Sequence, residues 1–136
     1  METLVARRNA ISSLWVFVAF NIAFADILSL YTPGVLPDLM EGVVEGIELS
    51  ESLLLVGAFF IQIPIAMIVA MQFIAPRVWR SVNTVAVVVT AAFVIGGGSF
   101  KLHYIFFASC EVLALLGIAL LVWRGNSSGQ ATGPSL

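Results

Sequence analysis

Two carboxylates interrupt apolar stretches of this chain, and they are the residues best placed to do chemistry. Glu111 lies within HYIFFASCEVLALLGIALLVW, and Asp26 lies near the end of an earlier apolar stretch. A charge in hydrocarbon costs ~3 kcal/mol or more, so such a group faces protein or water, or it holds a proton. The two residues therefore predict a site that binds a proton or a small ligand.

Other polar residues are expected at a similar depth. From a helical rise of about 1.5 Å per residue, Glu111 lies about 10 Å and Asp26 about 7–8 Å below the nearer ends of their helices. The residues predicted to line the pocket are Asp26, Gln62, His103, Tyr104 and Glu111. The secondary candidates are Asn21, Lys101 and Glu51.

Structural roles are the alternatives for several of these residues. Asp26 could instead pair with Lys101 or His103 as a tie between helices. Asn21 lies about 140° round its helix from Asp26, so it is expected to form an interhelical hydrogen bond. Glu51 and Gln62 share one helix face, which predicts a polar stripe running inward from the surface.

The composition excludes several chemistries. The single histidine, His103, cannot supply two axial ligands to a haem, and the single cysteine, Cys110, can form neither an intrachain disulfide nor a dithiol redox pair. No serine lies in a nucleophile elbow, so we predict no catalytic residue and nothing requires an enzyme. We predict no metal site, the sequence identifies no cofactor, and no basic patch is present for nucleic acid.

The elements that must position the site are membrane-spanning helices. Of the 136 residues, 60% are hydrophobic and 10% are charged, against a charged fraction of ~25% in soluble domains. Four apolar stretches, 11–31, 53–74, 82–98 and 102–123, approach the ~17–25 residues that a spanning helix needs. We predict an all-α, polytopic four-helix transmembrane bundle over residues 1–124 and a disordered cytoplasmic tail over 125–136.

The basic residues predict the orientation of this bundle. Five of the six lie on one side of the predicted spans: Arg7, Arg8, Arg77, Arg80 and Arg124. The positive-inside rule then places both termini in the cytoplasm and the protein in the inner (plasma) membrane. The start of the chain also has signal-peptide features ending at Ala25, but the apolar run continues past that residue, which favours a retained helix.

The first outer loop contains apolar residues at helical spacing from Leu36 to Ile47, which predicts a short amphipathic helix. Its acidic residues are Asp38, Glu41, Glu45, Glu48 and Glu51. If this helix gates a cavity, the acidic rim would attract cations. A lid that simply rests on the bundle or the membrane interface is the alternative.

Three stretches, RRNAISSLWVFVAFNIAFADI, QIPIAM and GGGSFKLHYIFFASCEV, resemble a family of uncharacterised bacterial four-span membrane proteins and, more distantly, the DoxX-like group. The resemblance covers nearly the whole chain up to Arg124 and implies a four-helix inner-membrane bundle without a known activity. Some DoxX-like relatives are subunits of quinone-linked thiosulfate oxidation, for which this chain lacks matching redox residues. FFASCEV also resembles the Glu-bearing helix of small multidrug-resistance exporters, which exchange protons for cationic substrates, although their Glu lies in the first span.

These features predict a small integral membrane protein whose outward-facing pocket binds a small ligand or a proton, with transport as an extension of that role. One alternative is an accessory or structural subunit of a larger membrane complex, or a homo-oligomer. Another is a quinone-linked oxidoreductase subunit. The expected surroundings in every case are a lipid bilayer.

Overall fold

The computed structural model describes residues 2–124, with side chains from Thr3 onward. The helices of this part are α1 (Glu2–Leu30), α2 (Val35–Met40), α3 (Glu51–Phe73), α4 (Trp79–Gly96) and α5 (Leu102–Arg124). Its remaining elements are the strands β1 (Val43–Val44) and β2 (Ile47–Glu48) and a 3₁₀ turn, Pro76–Val78. The tail predicted over 125–136 lies outside the described residues.

The long helices pack in a ring that follows the chain. Helix α1 contacts α3, α3 contacts α4, α4 contacts α5, and α5 returns to α1, which is the arrangement of an up-and-down bundle. Within the described residues, four helices are long and apolar enough to cross a membrane. The predicted all-α four-helix bundle of a multi-pass membrane protein is therefore confirmed.

The two ends of the bundle differ, and we name them by their contents. The loop end comprises segment 31–50 and the turn 97–101, and the arginine end comprises the start of α1, the link 74–78 and the end of α5. Helix α1 begins well before the predicted span because the residues that precede Ile11 contain no helix breaker and continue the same helix. Helix α4 begins at Trp79, directly after the 3₁₀ turn.

The first loop differs from the prediction in its second half. Helix α2 covers only Val35–Met40, whereas the helical spacing extended to Ile47, and β1 and β2 pair instead as an antiparallel hairpin. Between the strands, Glu45 has φ 50° and Gly46 has φ 83°. A two-residue hairpin turn of type I′ has positive φ at both positions, and glycine adopts it without strain. This local turn preference outweighs the apolar periodicity.

The buried core ends partway along the bundle. Pro64 is the first buried residue of α3 and Glu111 is the first of α5, so neither helix has a buried residue on the loop side of these positions. The largest fully buried side chains include Ile11, Trp15, Trp79, Met71 and Ile118. The bundle is therefore packed tightly toward the arginine end and leaves room for cavities toward the loop end.

Candidate functional site

A small cavity lies among α1, α4 and α5 where the packed core ends. Its volume is about 100 Å³, and we call it the deep cavity. It is lined by Ile22, Ala25, Asp26, Phe93, Val94, Gly97, Tyr104 and Glu111. Two carboxylates and a phenol from two different helices thus meet at one place.

Glu111 is the most deeply placed ionisable group of this site. Its exposed fraction is 3%, and among the described residues its carboxyl has no hydrogen-bond or ion-pair partner. Asp26 is more exposed, and it is near enough to Glu111 for the two charges to interact. Because Glu111 lines the deep cavity, water, a proton or a bound cation in that cavity can satisfy its carboxyl.

A wider cavity of about 320 Å³ lies between the deep cavity and the loop end, and we call it the vestibule. Asp26, Gly97 and Tyr104 line both cavities, so the two are adjacent. Helix α2, strand β1 and the turn 97–101 supply much of the vestibule wall. The first loop therefore encloses the approach to Glu111 through both its helical and its hairpin parts.

The vestibule is acidic. Its charged lining residues are Asp26, Asp38, Glu45 and Lys101. Lys101 Nζ lies 3.5 Å from Glu45 Oε1 in a partly exposed ion pair, and neither aspartate has an ion-pair partner among the described residues. The three carboxylates outnumber the one ammonium group, and net negative charge in a concave site raises the local concentration of cations.

His103 is bound to α1 rather than to a carboxylate. Its Nε2 lies 3.2 Å from Ser29 Oγ, while Ser29 Oγ donates its only proton to the Ala25 carbonyl at 2.8 Å. His103 Nε2 must therefore be the donor to Ser29. Since Lys101 pairs with Glu45, the alternative tie from Asp26 to Lys101 or His103 is not formed.

Tyr104 is the residue that connects the cavities. It lines the deep cavity, the vestibule and a third, largely apolar groove of about 630 Å³ between α4 and α5. Within the described part of the chain, its hydroxyl makes one long contact, 3.5 Å, to the Val94 carbonyl. The phenol is therefore available to a ligand or water at the boundary between the two polar cavities.

Four of the sequence-predicted residues lie elsewhere, and one of them is His103, which lines neither the deep cavity nor the vestibule. Gln62 is exposed on the outer face of α3 because it lies two positions from the buried Pro64, about 200° round the helix. Glu51 is exposed in the first turn of α3, so the stripe shared with Gln62 faces away from the bundle. The interhelical bond expected of Asn21 is also wrong, since its Nδ2 donates to the carbonyl of Phe17 in the same helix at 2.8 Å.

Sequence reasoning missed polar residues on the inner face of α4. Asn83 is fully buried and accepts a 2.8 Å hydrogen bond from Trp15 Nε1. Thr90 is also buried, and its hydroxyl has no hydrogen-bond partner among the described residues. The signal was the spacing of Trp79, Asn83, Thr90 and Val94, which places them on one face of a helix.

Metal binding finds no support in the described part of the chain, where no group of three His, Cys, Asp or Glu side chains could hold an ion together. A proton on one of the two neighbouring carboxyls of the deep cavity needs no further fixed ligand, whereas a divalent metal ion needs several.

The fold and this site define a small multi-pass helical membrane protein with a buried acidic cavity. The chain belongs to a family of unknown function, DUF6326, whose model matches residues 1–129. No significant match was found among curated proteins or among solved structures. The prediction of an uncharacterised family is confirmed, and the DoxX-like relation and the bacterial origin stay predictions.

Proposed function

We propose that this protein binds a proton or a small monovalent cation at Glu111 and that the vestibule and deep cavity form its entry path. The observation that carries the proposal is the placement of Glu111. The residue is 3% exposed and its carboxyl has no hydrogen-bond or ion-pair partner among the described residues, yet it lines a cavity that adjoins the vestibule through Asp26, Gly97 and Tyr104.

The size and charge of the two cavities limit which ligands they can bind. A water occupies roughly 30 Å³ in the liquid, so the deep cavity of about 100 Å³ accommodates a few waters, or a small cation with water. The vestibule is large enough for a small organic cation. Lys101 is already paired to Glu45, and Asp26 and Asp38 have no ion-pair partner within residues 3–124, so the vestibule favours positive ligands over anions.

In the proposed orientation the loop end faces outward and the arginine end faces the cytoplasm, as the basic residues predict. The entry path then opens to the outside of an inner membrane. Toward the arginine end, the buried side chains of Trp15, Met71 and Ile118 fill the bundle interior. Transport would therefore need a second conformation. Toward the arginine end, the next buried polar side chains along α4 are those of Thr90 and then Asn83.

The proposal is tested by thermal unfolding of the purified protein in detergent with sodium, ammonium or tetramethylammonium chloride. N-methylglucamine chloride, whose cation is too bulky for the deep cavity, controls for ionic strength. At least one small cation should stabilise the wild type, and Glu111→Gln and Asp26→Asn should abolish that shift. Glu48→Gln, an exposed position on β2, should retain it. Equal shifts in Glu111→Gln and the wild type would overturn the proposal.

A second candidate function, a subunit of an oligomer or larger complex, is favoured by Gln62. Its carboxamide is exposed on a helix face that also carries exposed Leu55, Phe59 and Val69. A side-chain amide in contact with lipid is unsatisfied, whereas between helices it forms hydrogen bonds. This face could therefore meet another membrane helix.

Disulfide crosslinking in membranes tests this second function. In a Cys110→Ala background, Gln62→Cys should crosslink to itself or to a partner, and Val88→Cys on an exposed face of α4 should not. Native mass spectrometry then distinguishes a homo-oligomer from a hetero-complex. A strictly monomeric protein that crosslinks at neither position would exclude this role.

A further inference from the structure

At the arginine end of the bundle, the guanidinium groups of Arg7 and Arg8 lie near the indole ring of Trp79. Trp79 begins α4 with an exposed fraction of 2%, and its Nε1 donates to the Ile74 carbonyl at 3.1 Å. The guanidinium carbon of Arg7 lies 5.4 Å from the centre of this ring, and that of Arg8 lies 5.5 Å from it. Cation–π attraction thus holds both side chains over one aromatic group.

The positive charge gathered at this place has no described counter-ion. Arg8 Nη1 donates to the Gln72 carbonyl at 3.4 Å, and Arg7 Nε is buried without a hydrogen-bond partner among the described residues. No carboxylate of residues 3–124 lies within ion-pair distance of either side chain. The nearest acidic residue of α1 toward the loop end is Asp26, about 28 Å along the helix.

Two like charges that both lie within about 5.5 Å of one ring centre repel each other, and partial burial adds a desolvation cost. An anion that both guanidinium groups contact relieves the repulsion and satisfies their free N–H donors. Arginine matches phosphate oxygens with paired, charge-assisted hydrogen bonds. Neither side chain is fully buried, so their remaining donors are accessible from the surface of the bundle.

We propose that Arg7 and Arg8, held over Trp79, form a binding site for the phosphate group of an anionic phospholipid. The position on the bundle selects a lipid over a free anion. Arg7 and Arg8 lie one turn before Ile11, where the buried part of α1 begins, and the exposed Trp123 lies at the same end, as aromatic residues do at membrane interfaces. Lipid phosphates are present there at high density.

The other arginines of this end provide a contrast. Arg80 is stacked on Trp123 at 3.6 Å, and Arg77 is exposed in the 3₁₀ turn. A nonspecific attraction of the basic end for an anionic surface would involve Arg77 as much as Arg8. A defined site depends on Arg7 and Arg8 and leaves Arg77 without effect.

Native mass spectrometry and thermal unfolding of the full chain in detergent test the site, with phosphatidylglycerol as the probe. Phosphatidylcholine and inorganic phosphate are the comparison ligands. We expect one tightly retained phosphatidylglycerol and a raised Tm, and about tenfold weaker binding in Arg8→Gln. The double variant Arg7→Gln/Arg8→Gln should lose the bound lipid.

Arg77→Gln removes the same charge from the same end and should bind phosphatidylglycerol as the wild type does. If the double variant fails to fold, Arg8→Lys decides, because it keeps the charge, loses the planar donor pair and should bind more weakly than Arg77→Gln. Equal weakening by Arg77→Gln and Arg8→Gln would overturn the site. Equal stabilisation by phosphatidylcholine or by inorganic phosphate would overturn the assignment to an anionic lipid.

Discussion

Asp26 on α1 and Glu111 on α5 line the same cavity, although they lie far apart in the sequence. Asp26 also lines the vestibule, whereas Glu111 is 3% exposed and belongs to the deep cavity alone. The two carboxyls therefore stand in series along the proposed path, with the more exposed one nearer the loop end. A cation that enters meets Asp26 before it can reach Glu111.

Access to Glu111 should depend on the space beside Ala25. Ala25→Leu adds an isopropyl group to the wall of a cavity of only about 100 Å³, so water and small reagents should be excluded. We expect the thermal stabilisation of the wild type by small cations to be lost, measured as the shift in Tm. Ala23→Leu, an exposed position on the same helix, should keep that shift. An unchanged shift in Ala25→Leu would show that the cation reaches Glu111 by another route.

The charge of the vestibule should set cation affinity. Lys101→Gln leaves Glu45 without its partner, so the Kd for tetramethylammonium should fall about twofold to fivefold at low salt, and Glu45→Gln should raise it by a similar factor. Both effects should shrink at high ionic strength because the pair is partly exposed. Isothermal titration calorimetry at two salt concentrations measures this. Changes of the same sign in both variants would contradict an electrostatic effect.

The buried bond between Trp15 and Asn83 should contribute to stability. Asn83→Ala leaves the Trp15 indole N–H without its acceptor, 2.8 Å away in the wild type, and should lower the free energy of unfolding by ~1–3 kcal/mol. Asn21→Ala is the matched control, because Asn21 bonds only to its own helix and should cost less than ~1 kcal/mol. Denaturation in mixed micelles measures the free energy of unfolding of both variants. A smaller loss for Asn83→Ala than for Asn21→Ala would contradict the packing described.

The Ser29–His103 contact should fasten α5 to α1 at the loop end. Ser29→Ala removes the acceptor of the His103 Nε2–H group and should destabilise the protein by ~0.5–1.5 kcal/mol. Hydrogen exchange should increase in the first turns of α5. Ser109→Ala, which removes a bond only to the carbonyl of Ile105 in α5 itself, serves as the control. Equal exchange in the two variants would argue against the tie.

The architecture of the bundle follows from the sequence because membrane-spanning helices are specified by long apolar runs. The first loop was less predictable. Its apolar residues fit helical spacing, but Glu45 and Gly46 form a tight turn that converts the second half into a hairpin. The turn preference of these two residues outweighs the apolar periodicity, which spans many more residues and predicted a helix.

The sequence predicts how deep the site residues lie along their helices, but it does not predict which helix face points into the bundle. Asp26, Tyr104 and Glu111 line one cavity, and their role as a binding site stays a prediction. Gln62 has a suitable depth but faces outward, because the orientation of α3 is set by Pro64, Met67 and Met71. An apolar helix surrounded by lipid has little sequence contrast between its faces, so which face packs inward depends on contacts with other helices.

Infrared difference spectroscopy of the protein in lipid vesicles, between acidic and alkaline pH, tests the central claim most directly. If Glu111 takes up and releases a proton in the deep cavity, the wild type shows a carboxyl C=O band that disappears in Glu111→Gln. The band should persist in Asp38→Asn, a carboxylate of the vestibule that lies outside the deep cavity. A Glu111→Gln spectrum with the same carboxyl band as the wild type would contradict the account.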